Sequence, residues 1–178
     1  MKCVATRNSA GARISGKGYY YCGFLVDRPI LKTIVEVMTE EERIKLNSIS
    51  LKVRWGDMDS MGHVNNTCYF RYCEQVRMEW FDGLDLSADS KPDSLIVIIN
   101  AYCEFLAPVR YPCNLTVAMS GGMPGNSSFM SYYTISNADK AEELFAKGQA
   151  KVVFVDSTGT RSVEMPASVK STLLKATS

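Results

Sequence analysis

The densest concentration of reactive side chains runs from Arg54 to Thr67, which reads Arg-Trp-Gly-Asp-Met-Asp-Ser-Met-Gly-His-Val-Asn-Asn-Thr. Two carboxylates, Asp57 and Asp59, stand there with Gly62, the only histidine of the chain, His63, and the pair Asn65 and Asn66. A carboxylate in such a place can work as a general base or as a nucleophile. The Asp, Gly, Ser and Asn content predicts a loop. Asn65-Asn66-Thr67 supplies cap residues for a helix that follows. The first amides of a helix lack intrahelical acceptors, so they can receive a developing oxyanion, and the helix dipole favours negative charge at the same end. A base or nucleophile, a carbonyl and an electrophile clamp together suit acyl transfer. The same residues also have a purely structural use. Asp and Asn before a helix form caps and Asx turns, and a single loop histidine can serve only as a hydrogen-bonding group.

The elements on either side must position that loop. Downstream, Tyr69, Tyr72, Cys73, Val76 and Trp80 recur at helical spacing and predict one apolar stripe on a helix running to about residue 81. Its aromatic weight predicts a helix held against a sheet. Upstream, residues 50–56 alternate, with Leu51, Val53 and Trp55 on one face, as in a half-buried strand. Four more strand-like segments follow, at 95–107, 114–120, 128–136 and 144–155. In 95–107 one face carries Leu95, Val97, Ile99, Ala101, Cys103, Phe105 and Ala107 throughout. Residues 166–174 read as a last short helix, and Thr39-Glu40-Glu41-Glu42 reads as a capping box opening a short helix to about Leu46. Consecutive strands with short links predict antiparallel pairing. The fold class is α+β: one antiparallel sheet wrapped around one long helix.

With 178 residues the chain is large enough for one domain and an extension. Hydrophobic residues make up 46% and charged residues 22%, which excludes a disordered, collagenous or coiled-coil chain. A net charge of +1 gives no basic stripe for nucleic acid. No apolar run approaches the roughly 20 residues of a membrane span. Six cysteines without a Cys-x-x-Cys pair, and one histidine, give no finger-like zinc site. Scattered cysteines in apolar stretches read as reduced, buried thiols of an intracellular protein. Residues 1–37 carry six basic side chains against two acidic ones, and the remainder 14 against 17. The reading is therefore an extension at 1–37 and a compact domain at 38–178. An acid-free, Ser- and Arg-bearing start resembles an organelle transit peptide, so the expected location is cytoplasmic, or mitochondrial if that segment acts as one. An unstructured tail, or a true start at Met38, fits the segment equally.

The stretch Asp57-Met58-Asp59-Ser60-Met61-Gly62-His63-Val64-Asn65-Asn66, followed by Tyr69-Phe70-Arg71-Tyr72-Cys73-Glu74-Gln75-Val76-Arg77, resembles the opening of hot-dog-fold acyl-CoA thioesterases of the 4-hydroxybenzoyl-CoA thioesterase-like superfamily. The resemblance spans about residues 48–174. It implies a hot-dog fold, a homodimer or homotetramer joined edge to edge with the active site at the subunit interface, and hydrolysis of an acyl-CoA without metal or cofactor. It implies Asp59 as the catalytic carboxylate, Asp57 as structural and His63 as a catalytic partner. Gly62, Asn65, Asn66 and Tyr69 would then contact substrate. In related plant acyl-carrier-protein enzymes an Asn stands two residues after the Asp, where this chain has Met61. Other members carry a catalytic Glu within the helix, to which Glu74 could correspond. A non-catalytic hot-dog protein that binds acyl groups or partners is the alternative on the same fold.

Overall fold

The computed structural model describes residues 43–84 and 94–175, together with two short strands, β1 (Tyr19–Tyr21) and β2 (Phe24–Val26). The chain divides into the units Met1–Val37 and Met38–Ser178. In the first, β1 and β2 pair antiparallel. The second contains β3 (Ile44–Lys52), a single 3-10 turn (Trp55–Asp57), α1 (Asn66–Gly83), β4 (Ser94–Phe105), β5 (Asn114–Gly121), β6 (Ser128–Asn137), β7 (Leu144–Asp156) and α2 (Ala167–Leu174).

The five strands of the second unit form one sheet in the order β3-β5-β6-β7-β4, antiparallel throughout. Alternation along each strand decides which face turns inward. Leu115, Val117 and Met119 of β5, Phe129 and Ile135 of β6, and Ala150, Val152 and Phe154 of β7 are all buried. They meet the stripe of α1, whose Tyr69, Tyr72, Cys73, Val76 and Trp80 are buried, joined by Phe81. Trp80 packs edge-on against Phe129, and Phe81 against Phe154. The helix, the four downstream strands and the closing helix therefore stand where the hydrophobic periodicity places them.

Several expectations need correction. Residues 44–46 are strand, not the end of a helix: Ile44 and Lys45 pair with Gly121 and Ser120. A register shift between Lys45 and Asn47 interrupts the alternation there and hides the strand. The expected capping box at 39–42 lies outside the described residues. Trp55 does not continue the buried face of β3, because the backbone leaves the strand and turns at Trp55–Asp57, which leaves Trp55 exposed. In β4 a bulge between Ile98 and Asn100 reverses the faces. Ile96 and Ile98 point to the core before it and Cys103 and Phe105 after it, while Leu95 and Ile99 face outward. Finally, β4 and β5 are not a hairpin. β4 is a terminal strand beside β7, and β5 lies next to the opposite edge, so the link 106–113 crosses the molecule.

Cys68, Cys73, Cys103 and Cys113 are free thiols. Burial pushes Cys73 up to about 12 and Cys103 up to about 11, so both are neutral core groups at physiological pH. Among the described residues no helix is long and apolar enough to cross a membrane. Phe154 is almost fully buried against Phe81. Phe154→Ala is expected to cost about 3–5 kcal/mol, read from the midpoint of urea unfolding.

Candidate active site

The loop between the 3-10 turn and α1 is built by short hydrogen bonds. Met58 and Val64 form an isolated antiparallel bridge. Inside it the Asp59 amide donates to the His63 carbonyl at 2.9 Å, and the Gly62 amide donates to the Asp59 carbonyl at 3.1 Å. Closing so tight a turn requires a positive φ, and Gly62 supplies it at 77°. Gly62 thus has a structural task independent of any substrate contact. The loop is fixed from behind by Val64, whose amide donates to the carbonyl of Val109 at 2.8 Å. Both valines are fully buried. The crossing link 106–113 therefore forms one wall of the loop.

The two carboxylates have different surroundings. Asp57 Oδ2 accepts from the Tyr72 hydroxyl at 2.7 Å and from the Arg54 amide at 3.0 Å. The Asp57 carbonyl also accepts from the Asn65 amide at 2.8 Å. This residue ties the end of β3 to the start of α1, and its carboxylate is engaged. Asp59 is held at one oxygen only: Oδ1 accepts from the Met61 amide at 2.8 Å. Its Oδ2 stands 3.7 Å from His63 Nδ1, an electrostatic contact rather than a hydrogen bond, and the side chain is 23% exposed. His63 Nδ1 also lies 3.3 Å from the Val64 carbonyl. Two acceptors beside Nδ1 favour the proton there, which leaves Nε2 as the acceptor of the neutral ring.

At the helix start, Asn65 is the N-cap. Its Oδ1 accepts from the Thr67 amide at 2.9 Å and from the Thr67 hydroxyl at 2.7 Å, and its carbonyl accepts from the Cys68 amide at 2.9 Å. The expectation of several free amides is corrected here. The cap consumes those of Thr67 and Cys68, and the amide of Asn66 is the one without a partner among the described residues. Tyr69 is buried, edge-on against Phe105 with ring centroids 5.0 Å apart, and its hydroxyl oxygen accepts from the Val109 amide at 3.4 Å. Its place in this chain is to fasten the crossing link to α1. Glu74 is on the exposed side of α1, in a groove of about 250 Å³ that it shares with Arg71, Arg77 and Tyr102, apart from the Asp59 loop.

Two participants escape sequence reading. Tyr72 reads as one more apolar stripe residue, yet its hydroxyl braces Asp57. Val109 lies far along the chain from Val64 and Tyr69, and no local pattern joins them.

Sheet, helix and loop together make the hot-dog fold with a carboxylate-bearing loop at the helix N-terminus. The family model described as "Thioesterase-like superfamily" matches residues 53–173, and the chain belongs to that family, which carries thioester hydrolysis. Acyl-acyl carrier protein thioesterase ATL2 of Arabidopsis thaliana is 29% identical over 128 residues, 70% of this chain and 66% of that protein. Among solved structures, the PA2801 protein of Pseudomonas aeruginosa, provisionally assigned as a thioesterase, superposes with a TM-score of 0.66. It is 32% identical and covers 71% of this chain and 97% of its own. Slr0204, a 1,4-dihydroxy-2-naphthoyl-CoA thioesterase from Synechocystis, superposes with a TM-score of 0.64 at 19% identity over 74% of this chain and 98% of its own, a likeness of fold.

Tyr72→Phe removes the donor to Asp57 and is expected to destabilise by about 1.5 kcal/mol, the lower end for a bond to a charged group because Asp57 is not fully buried. Burial, followed by the Asp57 contact, pushes the Tyr72 hydroxyl well above its ordinary 10. Its contribution to stability is therefore complete below pH 10 and is lost as the pH rises beyond it. The difference in unfolding free energy between wild type and Tyr72→Phe should accordingly shrink above pH 10. Denaturant titrations at pH 8 and pH 11 check both points.

Proposed function

We propose that the protein hydrolyses an acyl-CoA to the free acid and CoA, with Asp59 as the reacting carboxylate. The observation that carries this reading is the contrast between the two aspartates. Asp57 is held by Tyr72 and Arg54, whereas Asp59 is anchored through one oxygen and keeps the other toward His63 and solvent. A thioester carbonyl at the start of α1 would place its oxygen on the Asn66 amide and its carbon in front of Asp59.

Two routes are open to that carboxylate. As a base it takes a proton from water, and the hydroxide adds to the carbonyl carbon. The tetrahedral intermediate then expels the CoA thiolate, which takes the proton back. As a nucleophile it attacks the carbon directly, the thiolate leaves, and water hydrolyses the resulting mixed anhydride. His63 orients the water or shares the proton through Nε2. Asn65 and Asn66 hold the helix start against the substrate, and Gly62 shapes the opening. Met61 follows Asp59 where the resemblance to plant acyl-carrier-protein enzymes implies Asn, and we take that departure to favour CoA over a carrier protein.

For the subunit contact we propose β4. It ends the sheet, so its outer edge is unpaired within the described sheet, and it exposes Leu95 at 48% and Ile99 at 58%.

Asp59→Asn keeps an oxygen for the Met61 amide while removing the base and the charge. It should lower kcat by about 10²–10⁴ across acyl-CoA substrates in a thiol-release assay, with the thermal midpoint close to wild type. Equal rates for variant and wild type would overturn the role of Asp59. A wild type that binds acyl-CoA and releases no thiol would replace hydrolysis with acyl binding.

A further inference from the structure

Beside the Asp59 loop lies an aromatic pair that the proposed chemistry does not use. The ring centroids of Trp55 and Tyr111 are 5.5 Å apart and the planes meet at 85°. This edge-to-face contact props the indole up without covering it. Trp55 remains 75% exposed and Tyr111 45%. The two rings together present a flat apolar surface with a polar edge, the kind of surface aromatic ligands stack on. Each aromatic follows an arginine in the chain, Arg54 before Trp55 and Arg110 before Tyr111. Both arginines are exposed, and neither has an acidic partner among the described residues. The pairing is a product of the fold. The crossing link brings Arg110 and Tyr111 to the loop by way of the Val64–Val109 hydrogen bond, and the 3-10 turn lifts Trp55 off the strand.

We infer that Trp55 and Tyr111, with Arg54 and Arg110, form the docking platform for the nucleotide end of CoA: the adenine stacks on Trp55 and the phosphates meet the guanidinium groups. Flat aromatic surface accepts a base face, and guanidinium is the side chain suited to phosphate. Trp55 belongs to the turn that leads into Asp59, with the Met58 amide donating to the Trp55 carbonyl at 3.2 Å. Four residues cannot separate their Cα atoms by more than about 14 Å. The flexible pantetheine arm can bridge such a separation. The inference rests on the acyl-CoA reading above and adds to it the element that distinguishes CoA from a thioester lacking the nucleotide.

The chain has two tryptophans, and the second, Trp80, is buried, so Trp55 dominates any solvent-sensitive emission. The full-length protein titrated with adenosine 3′,5′-bisphosphate, the nucleotide end of CoA without its arm, should show saturable quenching. Trp55→Phe should abolish that signal. In kinetics, Trp55→Ala should raise KM for acyl-CoA about tenfold, the effect of losing one stacked base, and compress the preference for acyl-CoA over the matching acyl-pantetheine by the same factor. Trp55→Phe, which keeps a ring, should retain most of that preference. Absence of quenching, indole emission of buried character in the free protein, or an equal loss on both substrates would overturn the platform. Saturable quenching in a wild type that hydrolyses no acyl-CoA would uphold the platform and defeat the hydrolytic reading, so the two fail separately.

Discussion

The hydrogen bond from the Tyr72 hydroxyl to Asp57 is the constraint on which the rest of the site depends. It joins the second turn of a buried helix to the loop that enters it. Tyr72 is held by the core, so it transmits the position of α1 to the carboxylate. Through its other contacts Asp57 then fixes the end of β3 by the Arg54 amide and the N-cap residue by the Asn65 amide. One side chain thereby sets strand, loop and helix at a common point. The contact is partly shielded, which strengthens a charge-assisted bond beyond its value in water.

This brace gives two carboxylates that stand close together in the chain different surroundings. A carboxylate that accepts from a tyrosine and a backbone amide has little freedom left for a reacting carbonyl. Asp59, two residues later, is held through Oδ1 by its own Asx-type contact to Met61, and its Oδ2 lies 3.7 Å from His63 Nδ1. The short turn closed by Gly62 and the bridge from Met58 to Val64 fix the backbone that carries Asp59. The cap geometry narrows the chemistry further. Asn65 satisfies the Thr67 and Cys68 amides, so the positive end of the helix is presented through Asn66.

Much of this was legible in the sequence, for physical reasons that can be named. The α1 stripe and strand β5 have unbroken periodicity, so side-chain direction follows from counting, whereas a register shift at the start of β7 buries Phe145 beside Ala146 in place of Leu144. The Asp57–Asn66 loop was legible because turn and cap residues act locally. Legibility failed where register shifted or where partners lie far apart in the chain. The bulge after Ile98 exchanged the faces of β4, and the shift after Lys45 concealed the start of β3. Trp55 obeys the strand alternation in sequence and departs from it because the backbone turns. The crossing link reaches the site only through sheet order, which puts β4 and β5 far apart; no local pattern encodes the pairing of Val109 with Val64 or Tyr111 with Trp55.

The central claim is geometric: the thioester carbonyl sits between Asp59 and the start of α1. A crystal structure with a non-hydrolysable acyl-CoA thioether ketone tests it most directly. The account predicts the ketone oxygen about 3 Å from the Asn66 amide and an Asp59 oxygen about 3–3.5 Å from the carbonyl carbon. A ketone bound beside Glu74 in the groove of α1, or one contacting Asp57 in place of Asp59, would contradict it.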